Sequence, residues 1–97
     1  MKQEREFKPE SKKRIEEMFP GCYIHEMGCA TQGIPDTLIL FENKWALLEY
    51  KKSKTAKHRP NQDYYVDMFD SMGFSAFIYP ENEHEILAEL YDYFYGD

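Results

Sequence analysis

The sequence predicts an α/β (α+β) domain: a mixed sheet with helices on its faces, in the order α-β-β-β-α-β with one further helix at the carboxyl end. Three observations predict it. Short apolar segments at 22–27, 37–41, 45–50 and 74–79 have strand length, and turn residues bound them: Pro20-Gly21, Glu42-Asn43-Lys44, Gly73 and Pro80. Apolar residues recur with helical spacing before Pro20, between Pro60 and Gly73, and after Asn82. Strands 37–41 and 45–50 are too closely spaced for anything but a hairpin, whereas the later strand is preceded by a helix.

The elements follow in order. Pro9 suits the first turn of a helix whose apolar stripe is Ile15, Met18 and Phe19, ended by Pro20-Gly21. Cys22 to Met27 reads as a short strand, and Gly28 to Gly33 as a small-residue loop leading into the Pro35-Asp36 strand. The hairpin follows, and then a basic loop. Pro60 is predicted to start a helix with Tyr65, Met68, Phe69 and Met72 along one face and Gly73 as its stop. Phe74 to Tyr79 forms a strand. Asn82 with Glu85 resembles a capping arrangement, opening a helix with Ile86, Leu87, Leu90, Tyr91 and Phe94 inward.

Ninety-seven residues, 42% hydrophobic and 16% aromatic, suffice for one domain, residues 1–97, with one modest core. No apolar run is long enough for a membrane span, and the charged amino-terminal residues do not resemble a signal peptide. A cytoplasmic location is expected, with Cys22 and Cys29 as reduced thiols. Cys22, His25, Cys29 and His58 match none of the usual zinc-ligand spacings. A zinc-stabilised interaction domain is the weakest alternative.

The chemistry concentrates in Gly33-Ile34-Pro35-Asp36 and, thirteen residues after the aspartate, Glu49-Tyr50-Lys51. Side chains alternate along a strand, so Trp45, Leu47, Glu49 and Lys51 share one face. Glu49 and Lys51 stand about 7 Å apart along it, with Asp36 arriving from the neighbouring strand. Two carboxylates and an ammonium converging there can hold a divalent cation beside a phosphate. Magnesium prefers such oxygen ligands, to which the backbone carbonyl of Tyr50 would add. Lys51 would orient an attacking water or offset charge on the phosphate. An acid-x-Lys also occurs at Glu10-Ser11-Lys12 and Glu42-Asn43-Lys44. The apolar strand context separates the third copy, and burying two charges there without a purpose is costly. Exposed polar positions on a strand are the alternative.

Net charge is −6, which argues against a nucleic-acid partner until its distribution is seen. Residues 1–14 carry six Lys or Arg against three acids, and residues 44–59 six against one. Residues 60–97 hold nine acids and neither Lys nor Arg. Lys52, Lys54, Lys57 and Arg59, with Lys12 and Lys13 of the first helix, are therefore the candidate DNA contacts. A merely solvated loop is the alternative for 51–59.

Glu10-Ser11, Gly33-Ile34-Pro35-Asp36, Glu49-Tyr50-Lys51 and Gln62 together resemble the PD-(D/E)XK nuclease superfamily, and within it the small stand-alone VRR-NUC domains often encoded by phages. The resemblance covers residues 8–80 and implies a restriction-endonuclease-like core. It implies that Asp36 and Glu49 bind Mg²⁺, with Mn²⁺ as substitute, and that Lys51 assists the chemistry. Glu10 would approach from the first helix as an outer-shell or second-metal ligand, and Gln62 would orient Lys51, the water or the phosphate. For Glu10 a favourable place in the helix dipole is the alternative, and for Gln62 a first-turn surface position. Relatives with a tyrosine four residues after this glutamine are not matched, since Val66 stands there; Tyr65 stays outside the catalytic set. The implied activity is Mg²⁺-dependent DNA endonuclease, selective for branched substrates such as four-way (Holliday) junctions and acting as a homodimer, in the host cytoplasm if phage-encoded. Tyr91, Tyr93, Phe94 and Tyr95 exceed the needs of one core and suit a dimer surface or a cover for the sheet. A non-catalytic module of the same fold, binding DNA or a protein partner, is the rival reading.

Overall fold

A computed structural model describes residues 4–28 and 31–96. Its elements are α1 (Glu4–Met18), β1 (Tyr23–Glu26), β2 (Thr37–Phe41), β3 (Lys44–Tyr50), α2 (Gln62–Met72), β4 (Ser75–Ile78) and α3 (Glu83–Tyr95). The four strands form one sheet in the order β1-β2-β3-β4. β1, β2 and β3 pair antiparallel, and β4 joins β3 in parallel, as the intervening α2 requires. This is the mixed sheet and helix order that the sequence predicts.

Alternation along the strands divides the sheet into two faces. Thr37, Ile39 and Phe41 of β2, Ala46, Leu48 and Tyr50 of β3, and Ile78 of β4 point to one face, all buried. Phe7, Ser11 and Ile15 of α1, Phe19 just after it, and Ile86, Leu87, Leu90 and Phe94 of α3 close over it. Phe19 is the hub, with ring centroids 5.4 Å from Phe41, 5.0 Å from Phe94 and 5.5 Å from Tyr95. Such aromatic pairs add about 0.5–1.5 kcal/mol each beyond the area they bury. Lys44 reaches under α3 and donates to the carbonyls of Tyr93 at 2.8 Å and Gly96 at 2.6 Å. It thereby satisfies helix-terminal acceptors that would otherwise lack partners.

Several boundaries depart from the sequence reading. α1 begins at Glu4, not at Pro9, and Pro9 lies inside it. The proline removes one helical hydrogen bond. The turn before it is held because Phe7 is driven into the core, 2% exposed, edge-on to Tyr50 at 5.7 Å. The buried stripe is thus 7, 11, 15 and 19, and it contains a serine. Ser11 Oγ and Tyr50 Oη share a buried hydrogen bond of 2.8 Å, so a polar residue in the stripe hid the first helical turn.

α2 starts two residues after Pro60, preceded by Asn61 at φ 72°. It buries Gln62 and Val66, not the Tyr65–Met72 stripe; Met72 is 64% exposed. The helix packs on β3 and β4, with Phe69 edge-on to Trp45 of β3 at 6.3 Å. Gly73 ends α2 as predicted; a Cβ there would fall 2.8 Å from the Trp45 ring. Asn82 precedes α3, but its side chain reaches back to β4, accepting from the Tyr79 amide at 2.8 Å and donating to the Phe77 carbonyl at 3.0 Å. The predicted capping arrangement is therefore replaced by a clasp on the end of β4. Tyr91 points outward, while Tyr93 and Tyr95 donate their hydroxyls to the Trp45 and Met18 carbonyls of their own chain. No helix among the described residues is long and apolar enough to cross a membrane.

Ser11→Ala leaves the buried Tyr50 hydroxyl without its partner. The expected cost is about 1–3 kcal/mol, read as a lower urea midpoint, and Tyr50→Phe in the same background should recover part of it.

Candidate active site

The last described pair of the β2–β3 ladder is Thr37 with Leu48. One step further along the same register, Asp36 stands opposite Glu49. The Asp36 carbonyl accepts from the Met27 amide at 2.8 Å, so β1 also stays attached at this point. A cleft of about 430 Å³ opens there, lined by Asp36, Glu49, Lys51, Arg59 and Gln62, with Met27, Gly28 and residues 31–34. Tyr50 also lines it, and with the Tyr50 ring buried on the opposite face, its backbone is what meets the cleft.

Glu49 and Lys51 are buried, at 7% and 8% exposure. That replaces the alternative of polar positions on an exposed strand. Lys51 Nζ donates to Gln62 Oε1 at 2.7 Å and to the Lys57 carbonyl at 3.1 Å. Gln62 Oε1 is itself fixed by the Arg59 amide at 2.8 Å. Gln62 is buried too, not on the surface. A buried ammonium needs such acceptors, and these aim it along the cleft floor.

Asp36 Oδ1 accepts from Thr37 Oγ1 at 2.7 Å and lies 3.5 Å from Lys8 Nζ. Oδ2, among the described residues, takes only the Tyr50 amide at 3.4 Å. Oδ1 thus carries most of the contacts to the protein, and Asp36 as a residue lines the cleft. Burial raises the Asp36 carboxyl above its ordinary value of 3.8, against the opposing pull of Thr37 and Lys8. Lys8 also pairs with Glu26, whose other oxygen holds Lys12 at 3.0 Å. Burial alone would lower the Lys8 ammonium; Glu26 and Asp36 together raise it instead.

Glu10 does not line the cleft. It occupies the flank of α1 that carries Arg14, whose guanidinium pairs with Glu83 at 2.8 Å. With α1 starting at Glu4, Glu10 is also beyond the first turn where the helix dipole acts. Of the predicted DNA contacts, Arg59 borders the cleft, and Lys13, Lys52, Lys54 and Lys57 are exposed. Lys12 is engaged by Glu26. His58 packs flat on Phe77 at 4.0 Å and pairs with Asp63 at 2.8 Å, which pins the basic loop to α2 and β4. Cys29 of the considered zinc set lies outside the described residues. Sequence reading missed Lys8 and Glu26. Glu26 was accessible through strand alternation, since it shares with Ile24 the β1 face that meets α1; Lys8 was not, because the helix was started after it.

Gly33 has a structural reason within its motif. Its φ is +99°, and a Cβ would lie 2.7 Å from Asn61 Cβ and 2.8 Å from the Asn61 carbonyl carbon. The glycine lets the Asp36 segment dock against the start of α2, where Gln62 sits. The donor set is all oxygen: the Asp36 and Glu49 carboxylates with the Tyr50 backbone. That chemistry fits a hard divalent cation such as Mg²⁺ or Mn²⁺ and not a thiolate-seeking metal.

No protein-family profile matches the sequence, and no curated protein matches it. The structure is similar to that of a VRR_NUC domain, with TM-score 0.72 and 20% identity, over 91% of this chain and 97% of that one. The chain therefore has the fold of that VRR_NUC domain.

Proposed function

We propose that this chain is a Mg²⁺-dependent endonuclease that hydrolyses phosphodiester bonds in DNA. The observation that carries the reading is the convergence at one cleft of Asp36 opposite Glu49, with Lys51 held beside them by Gln62. A cation held by Asp36, Glu49 and the Tyr50 carbonyl supplies Lewis acidity toward a phosphoryl oxygen and acidifies water. The chain's own residues do the rest. Lys51 keeps a positive charge where negative charge grows on the phosphate, and Gln62 keeps that ammonium in place before substrate arrives. Arg59, which lines the cleft, and the exposed Lys52, Lys54 and Lys57 of the same loop would provide a path for the phosphate backbone. Preference for branched DNA, including four-way junctions, and action as a homodimer with one site per strand are proposed from the resemblance to VRR-NUC nucleases. Glu10, away from the cleft, is given no metal in this reading.

A matched panel of linear, nicked, flapped and four-way DNA with Mg²⁺ or Mn²⁺ tests the reading. The native protein should cut, Glu49→Ala should not, and Lys51→Ala should be slower by about 10²–10³-fold. A folded protein that cuts none of these substrates sinks the proposal and favours the non-catalytic module.

Asp36→Asn should lose activity while gaining stability. Burial raises the folded-state carboxyl, so its contribution to stability is fullest below its ordinary value of 3.8 and is lost as pH rises through the raised value. The amide removes that loss. At pH 7 the variant should have a higher urea midpoint than the native chain, and the advantage should vanish in acid. A lower midpoint at pH 7 would contradict this account of Asp36.

Charge reversal at both Lys54 and Lys57 should weaken DNA binding and reduce the slope of log K against log salt by about 2. Unchanged binding would move the DNA path elsewhere.

A further inference from the structure

Asp36 has a second neighbour in the electrostatics of the cleft, and it is a cation. Lys8 of α1 places Nζ between Glu26 Oε1 and Asp36 Oδ1, 3.5 Å from the latter, with the Tyr50 ring beneath it at 5.4 Å. Thr37 Oγ1 bridges the same two carboxylates, 2.7 Å from Asp36 Oδ1 and 3.5 Å from Glu26 Oε2. Glu26, Thr37 and Asp36 thus form an oxygen-rich corner on the α1 side of the site, and an ammonium fills it. Lys8 is itself largely sequestered, its side chain 18% exposed.

We propose that Lys8 stands where a second divalent cation would sit beside Asp36, so that this site takes one metal ion per chain. The inference rests on the reading that Asp36 and Glu49 hold a metal. In two-metal sites the ions lie about 3.5–4 Å apart and share a carboxylate. Asp36 Oδ1 is the oxygen such a sharing would use, and it already faces Lys8 and Thr37. A dication arriving there would meet an ammonium held by two carboxylates at van der Waals range, and like charges at that separation repel strongly. Oδ2 takes the Tyr50 amide at 3.4 Å, and Asp36 and Glu49 both line the cleft. Lys8 is therefore a positioning residue: it fixes the inner edge of Asp36 and supplies in protein form the positive charge a second ion would bring. Glu10, from the same helix, lies on the wrong flank to complete a second site.

The test counts Mn²⁺ bound to the full chain by titration calorimetry and by electron paramagnetic resonance of free Mn²⁺. The native protein should bind one ion per chain. Lys8→Gln removes the ammonium beside Asp36 and one of the two on Glu26, where Lys12 remains at 3.0 Å, and should bind two, whereas Lys8→Arg, which keeps the charge, should bind one. Adding Glu26→Gln to Lys8→Gln should restore one. Far-ultraviolet circular dichroism and urea midpoints establish that each variant is folded; if Lys8→Gln is not, the native and Lys8→Arg counts still decide. Two ions in the native protein, or one in folded Lys8→Gln, would overturn the inference while leaving the nuclease reading intact. No Mn²⁺ bound by the native protein would remove the nuclease reading, and this inference with it.

Discussion

The register of β3 is the constraint on which the rest depends. One side of this strand, Ala46, Leu48 and Tyr50, is core; the other, Trp45, Leu47, Glu49 and, just beyond the strand, Lys51, faces α2 and the cleft. A slip of one residue would exchange the two sets, driving Glu49 into the core and Tyr50 onto the side of the cleft and α2. Burial on both faces makes such a slip very unfavourable. The same pairing places Asp36 opposite Glu49, so the geometry of the site follows from hydrophobic packing several residues away.

Tyr50 joins the two sides of that arrangement. Its ring is fixed by Phe7 and by the hydroxyl of Ser11, and its amide points at Asp36. α1 therefore touches two residues that line the cleft, Tyr50 through Phe7 and Ser11, and Asp36 through Lys8. Two charged groups of the site have named protein counterparts: Lys51 has Gln62 and the Lys57 carbonyl, and Asp36 has Thr37 and Lys8. Those partners hold the charged groups in position before any ligand arrives, a pre-arrangement that electrostatic catalysis requires.

Charge is segregated along the chain, not balanced. Despite a net charge of −6, the exposed cations of residues 52–59 collect beside the cleft, and the acids of α3 lie across the sheet from it. His58 and the Lys54 amide anchor the basic loop, to Phe77, Asp63 and Glu81. The loop is thus positioned by contacts that leave its cationic ends in solvent. Sequence similarity alone finds no match for this chain, yet the arrangement of its sheet and helices coincides with a VRR_NUC domain at 20% identity. A buried pattern of alternation can be met by many sequences.

The sequence by itself determined the strands, the hairpin, the mixed sheet and the face shared by Glu49 and Lys51. All of these follow from local periodicity and turn residues, which act over a few positions. Gly33-Ile34-Pro35-Asp36 and Glu49-Tyr50-Lys51 were readable for the same reason. Tertiary structure decided what depends on distant partners. Phe7 held helix before Pro9 because the core had room for its ring, and Ser11 could sit in an apolar stripe because Tyr50 lay 39 residues away to receive it. Gln62 became buried, and Met72 exposed, because α2 covers only half of its face of the sheet. Lys8, not Glu10, came to Asp36 because the rotation of α1 is set by Phe7, Ile15 and Phe19 together. Helix rotation is fixed by packing, and no local pattern of charges reveals it.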